Sequence, residues 1–252
     1  MKKFSKYLTL VATAALFSVS AHAYIVDFTY VTPTDGSGKT SPLVGAANVN
    51  TGSVFVETFD TPSGGCGINT PSALVSITGA ANSFAIQRGS NGYGAMPAGD
   101  TTCYAFGPGP GGPVPTTVTL NYAGLLATLP SGTYLNYFGL YYGSIDTYND
   151  ISFYNSSNAL ITTVKGADLI TQFGGATGNQ FDDKTNLYVN LFFDPSETFS
   201  SFSFTTRSVA FEMDNLAVGY NIRRQNVPEP ETLVLVGLGL LGLSASRRRK
   251  VK

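Results

Sequence analysis

Asp146, Asn149, Asp150, Asp214 and Asn215 are the residues of this 252-residue chain whose types best suit a metal ion. Calcium takes about six to eight oxygen ligands from carboxylates, amides and carbonyls, and these two short Asp/Asn stretches offer the first two kinds. The same side chains also cap turns, because a short side-chain oxygen accepts from nearby backbone N–H groups. No Asp-x-Asp-x-Asp-Gly loop is present to choose between the two uses. Tyr134, Tyr137, Tyr141, Tyr142 and Tyr148 form an aromatic-dense stretch that could stack on sugar rings, or simply pack in strands. Glu57, Glu197 and Glu212 could serve paired-carboxylate glycoside hydrolysis, but nothing in their spacing selects a pair.

Other chemistry is excluded more firmly. The single histidine, His22, lies in the first two dozen residues, so the body has none. Ser-His-Asp and Cys-His catalysis, histidine zinc sites and histidine pH switching therefore drop out. The body is expected to be non-enzymatic. Residues 24–226 carry seven Lys/Arg against fourteen Asp/Glu, an excess of seven negative charges. An acidic body is a poor partner for nucleic acid, which needs clustered cations. Cys66 and Cys103 are the two cysteines, and an even pair in an oxidising compartment reads as a disulfide.

The elements that position these residues read as strands. Gly- and Pro-rich stretches at 33–42, 62–67, 89–99, 107–115 and 174–178 separate short runs rich in Val, Ile, Thr, Tyr and Phe. That spacing is the signature of an all-β sandwich or barrel. Val118, Leu120 and Tyr122 share one face, as do Ile151 with Phe153, and Leu187, Val189, Leu191 and Phe193. Phe202 and Phe204 alternate with Ser201 and Ser203. Val209, Phe211 and Met213 have one parity, whereas Leu216 and Val218 have the other. A β-bulge at Asp214-Asn215 would reconcile them. Residues 123–129 and 167–173 are each expected to form a turn or two of helix.

The two ends differ from the body. Residues 1–23 read as a secretory signal peptide: Lys2, Lys3 and Lys6, then the apolar stretch Leu8–Val19, then Ala21-His22-Ala23. Cleavage by signal peptidase is expected between Ala23 and Tyr24. At the other end, residues 223–226 form a linker. Residues 227–252 hold three parts in order: Pro228-Glu229-Pro230, the apolar run Thr232–Leu243, and the basic cluster Arg247, Arg248, Arg249 and Lys250. An apolar helix of about 14 residues reaches about 21 Å, short of a ~30 Å hydrocarbon core. Arginine side chains can stretch its reach, and the basic cluster should stay on the cytoplasmic side. Such a segment is a transient stop in the inner membrane rather than a comfortable anchor.

That ordered tail resembles the PEP-CTERM protein-sorting domain, also known as an ice-binding-protein C-terminal motif. The resemblance implies export across the inner membrane of a Gram-negative cell and processing by exosortase, a membrane cysteine peptidase. Release or attachment at the cell surface or in the extracellular matrix follows. Pro228, Glu229 and Pro230 become the recognition motif, with the helix and Arg247–Arg249 as retention elements. Two stretches of the body, Phe138–Asn149 and Phe211–Val218, are similar to bodies of such surface proteins, although Tyr142 stands where Trp is common. They imply a jelly-roll-like β-sandwich over residues 24–222. The implied role is a non-enzymatic surface or matrix protein. The alternative is a carbohydrate-binding module for extracellular polysaccharide, with calcium as a conceivable cofactor.

Overall fold

A computed structural model describes residues 24–174 and 177–222. The Val-, Ile-, Phe-, Tyr- and Thr-rich runs become twelve strands: β1 (Tyr24–Asp27), β2 (Val54–Glu57), β3 (Ser76–Gly79), β4 (Ala85–Arg88), β5 (Cys103–Gly107), β6 (Thr116–Asn121), β7 (Leu135–Gly143), β8 (Asn149–Tyr154), β9 (Leu160–Lys165), β10 (Leu187–Phe193), β11 (Ser201–Thr206) and β12 (Phe211–Tyr220). Two short helices, α1 (Ala123–Thr128) and α2 (Gly166–Phe173), fall where the sequence placed helical turns.

The strands form two antiparallel sheets packed as a sandwich. The first has seven strands in the order β1-β10-β7-β12-β5-β4, with β2 paired to the later part of β12. The second has five, in the order β3-β6-β11-β8-β9. From β5 onward the chain passes to the opposite sheet at every connection except β8 to β9. That alternation is what a jelly-roll-like β-sandwich requires.

The alternating runs supply the inner faces. Phe138, Leu140 and Tyr142 of β7, Leu187 to Phe193 in steps of two, and Phe211 and Met213 project from the larger sheet. Val118, Leu120, Ile151, Phe153, Phe202 and Phe204 project from the smaller one. Phe138 meets Phe153 and Phe202 across the gap, with centroids 5.1 and 4.9 Å apart and near-perpendicular rings. Tyr142 stacks on Phe211 at 4.4 Å. Each such pair adds about 0.5–1.5 kcal/mol beyond the area it buries.

The bulge lies where the parity change places it. β12 pairs β7 through Asp214↔Tyr141 and resumes at Ala217↔Gly139, a register shift across Asp214 to Ala217. Phe211, Met213, Leu216 and Val218 thereby all reach the core. Asp214 and Asn215 project from the opposite face of the sheet, and Asn215 takes φ +47°, a left-handed conformation that Asn tolerates better than most residues.

That opposite face is not a solvent face. The segment of residues 28–53 and the loop of residues 89–102 run over it. Under them lie a small apolar cluster of Val44, Val54, Val56, Tyr137 and Ala217, and another of Tyr104, Phe106 and Ala210. Between these sits a layer of buried polar side chains. Cys66 and Cys103 are disulfide-bonded with Cα atoms 5.4 Å apart, fastening the 58–75 segment to the start of β5. Closing a loop of 37 residues stabilises by about 3–4 kcal/mol in the chain-entropy picture.

Candidate functional site

The buried polar layer is built by amides that reach from strand to covering loop. Asn190 of β10 donates to the carbonyls of Asp27 and Thr29 at 3.1 and 2.7 Å and accepts from the Tyr137 hydroxyl at 2.7 Å. Asn186 accepts from the N–H groups of Ala98 and Ser144 and donates to the carbonyls of Asn179 and Asp182. Asn215 donates to the carbonyls of Ser37 and Lys39 and accepts from Asn48 at 2.7 Å. Lys39 is buried. Its Nζ donates to the Asn186 carbonyl at 2.6 Å and pairs with Asp183 at 3.2 Å, lying 4.9 Å from the Tyr30 ring centroid. These bonds satisfy loop backbone that the sandwich would otherwise bury unpaired.

In the middle of this layer two acids meet. Asp214 enters from the β12 bulge, and Asp100 from the loop before β5. Asp100 is 2 % exposed and Asp214 is fully buried. The two carboxyls are within hydrogen-bond reach of each other. The segment 35–38 closes over them: Ser37 bridges to Asp100 in antiparallel fashion, and the Thr101 N–H donates to the Gly36 carbonyl at 2.9 Å. Gly38 sits at φ +75°, and a Cβ there would overlap the Tyr141 ring, so the closure needs glycine. Burial, then the charge of Asp100, raises the Asp214 carboxyl well above the ordinary carboxylate range. Burial raises Asp100 in the same direction.

The five Asp/Asn residues read from the sequence as one cluster divide between two places. Asp214 and Asn215 stand in the layer just described. Asp150 pairs with Arg207 at 2.6 Å, Asn149 donates to the Ala210 carbonyl at 3.0 Å, and Asp146 accepts from Tyr148 and Thr177 at 2.5 and 3.0 Å. Among the described residues no three His, Cys, Asp or Glu converge as a metal group, so Asp146, Asp150 and Asp214 do not form one. The strand alternation is the reason: β8 and β12 belong to different sheets.

The tyrosine stretch divides: Tyr134 and Tyr148 are half-buried, and the other three are corrected. Tyr137, Tyr141 and Tyr142 are all 0 % exposed and cannot offer a face to a sugar. β7 lies inside the larger sheet with both of its faces covered. The glutamates are engaged by backbone. Glu57 accepts from the N–H groups of Phe59, Asn69 and Thr70. Glu212 accepts from the Ala95 N–H at 3.0 Å and the Ser144 hydroxyl at 2.9 Å, and burial pushes its carboxyl up to about 7. Glu197 lies in the turn that starts at Asp194. A small apolar cavity of about 30 Å³ opens between the sheets beside Phe59, Phe84, Phe211 and Met213, and none of its lining residues carries an acid or base.

Sequence reasoning missed Asp100, Asp35, Ser37 and Asn48. Each lies in a Gly-rich loop and is far from β12 along the chain, with no spacing that joins it to Asp214. Tyr24 opens β1 and packs on Phe193 with centroids 5.8 Å apart. Ala23, Pro228, Glu229, Pro230, Arg247, Arg248 and Arg249 lie outside the described residues, as do the linker and the apolar run. Among the described residues no helix is long and apolar enough to cross a membrane.

Residues 226–250 match the PEP-CTERM protein-sorting motif. No curated protein and no solved structure matches the chain. The chain is thus a β-sandwich protein carrying a PEP-CTERM sorting signal, which marks a secreted protein for exosortase and for membrane-associated sorting toward the cell surface.

Proposed function

We propose that this chain is a non-enzymatic protein of the Gram-negative cell surface or extracellular matrix. Signal peptidase removes residues 1–23, the sandwich folds outside the inner membrane, and exosortase then acts at Pro228-Glu229-Pro230. The observation that carries this reading is the match over residues 226–250, with its order of Pro-Glu-Pro, apolar run and arginines. Electrostatics supplies the mechanism. The Arg247–Lys250 cluster resists translocation, which halts the chain with Pro228–Pro230 at the outer side of the bilayer. The apolar run is too short to make that halt permanent. The Cys66–Cys103 disulfide suits an oxidising destination. Glu57 and Glu212 are committed to holding loops, which supports a structural body.

The test is export in an exosortase-competent host, comparing the wild-type chain with one whose Pro228, Glu229 and Pro230 are all Ala. Intact mass should show a shortened carboxyl end for the wild type and a retained tail for the variant. Equal processing of both would defeat the sorting mechanism.

A further inference from the structure

Asp100 and Asp214 each satisfy one carboxylate oxygen and leave the other bare. Asp100 Oδ1 accepts from the Thr102 N–H and hydroxyl at 2.7 and 2.8 Å, and Asp214 Oδ1 accepts from the Asn215 N–H at 2.7 Å. Neither Oδ2 has a hydrogen-bond donor, although both are buried. While both are ionised they are acceptors only and cannot satisfy one another, so either a proton held by Asp214 or a cation must join them.

No positive side chain answers the pair. Lys39 is spent on Asp183 and the Asn186 carbonyl, and Arg88 is paired with Asp60 at 3.3 Å. The charges of Asp35 and Asp60 bear on Asp214 as well, which adds to the negative field. Two ionised carboxylates buried together without a cation repel each other, and the surrounding loops are held in place by their own hydrogen bonds. Asp35 holds the Ser37 N–H and Asn48, Asn215 holds Ser37 and Lys39, and Asp60 holds the Cys103 N–H.

We propose that Asp100 and Asp214 are the two anionic ligands of a calcium site buried between the bulge of β12 and the loop of residues 35–38. Hard carboxylate oxygens select a hard cation, and calcium tolerates the irregular geometry of a site shared by a bulge and two loops better than magnesium does. No third acid joins the pair among the described residues, so the other ligands are neutral oxygens. This site is separate from Asp146, Asn149 and Asp150, and it does not depend on how the tail is processed.

The experiment uses the exported protein purified from its host, stripped with EGTA and titrated with calcium chloride or magnesium chloride. Calcium should bind once per chain, with Kd on the order of 0.1–1 mM as in other extracellular modules, and raise the thermal midpoint. Asp100→Asn and Asp214→Asn should each weaken calcium binding by roughly tenfold or more. They should also melt no lower than the stripped wild type, since each removes a buried repulsion. Asp150→Asn should bind as wild type. Terbium serves as a second probe on the wild type: the chain has no Trp, so luminescence excited through tyrosine and lost on adding calcium reports a cation next to Tyr141. An absence of calcium binding, an equal response to magnesium, or undiminished binding in both Asn variants would overturn the site.

Discussion

Asn215 and Ser37 lie 178 residues apart in sequence and are bonded twice, the Asn215 amide donating at 2.9 Å to both the carbonyl and the hydroxyl of Ser37. With its further bonds to the Lys39 carbonyl and to Asn48, this one side chain fixes the amino-terminal segment to the bulge of the last strand. Asn215→Ala removes four partners at once in a buried place and puts Ala at φ +47°. Each buried group left unpaired costs about 1–3 kcal/mol, and the left-handed backbone adds about 1–2 kcal/mol for Ala but nothing for Gly. Denaturant unfolding at fixed calcium should therefore show a loss of about 3–5 kcal/mol for Asn215→Ala. Asn215→Gly should recover about 1 kcal/mol of that loss. A loss below about 1 kcal/mol for the Ala variant would mean that the segment is held elsewhere.

Gly139 makes room for the same layer. It faces Asn190 across the β7–β10 ladder, and a Cβ placed on it would overlap the hydroxyls of both Tyr137 and Tyr188. Those hydroxyls are not free to move. Tyr137 bridges Ser41 and Asn190, and Tyr188 donates to the Asn215 carbonyl at 3.0 Å. Overpacking of this kind costs about 1–3 kcal/mol. Gly139→Ala should destabilise by that amount, and the penalty should shrink by about 1 kcal/mol when Tyr188 is already Phe, because one obstructing oxygen is gone. A double-mutant cycle measures this directly, and strict additivity would contradict the steric account.

The inner face of the sandwich was legible because it obeys a period of two. Leu187, Val189, Leu191 and Phe193 face the core together, and the parity change between Met213 and Leu216 locates the bulge. The pairing of Cys66 with Cys103 followed from there being two cysteines in an exported chain. The outer layer was not legible. Tyr188 and Asn190 alternate with apolar residues just as a solvent face would, and alternation cannot tell water from a covering loop. Likewise an aromatic strand such as β7 reads the same whether its tyrosines await a ligand or are packed on both sides. The Asp100–Asp214 meeting joins a loop to a bulge, and no local pattern encodes such a contact. The parity change and the residue types singled out Asp214-Asn215, but neither pointed to Asp100.

Burial of so many phenols makes alkaline stability a sensitive readout of this architecture. Burial pushes Tyr104 up to about 12, and it raises Tyr122, Tyr137, Tyr142 and Tyr188 above the usual phenol range as well. The direction follows from proton counting. Below pH ~10 these phenols are neutral in both states and contribute no pH dependence. Above it the unfolded chain loses protons that the folded chain keeps, so stability falls as pH rises through the interval between the two pKa values. Each phenol contributes about 1.4 kcal/mol per pH unit, and five together supply about 7 kcal/mol per unit. Against a total stability of about 5–15 kcal/mol, that unfolds the domain within roughly two pH units. Phenolate absorbance and loss of strand circular dichroism should therefore rise together in one steep transition above pH ~10. Tyr104→Phe should make the transition shallower by the share of one phenol. Gradual phenolate formation with the β-sheet signal intact would show that these tyrosines reach water, and the burial of Tyr122 and Tyr142 between the sheets and of Tyr104, Tyr137 and Tyr188 under the covering loops would be wrong.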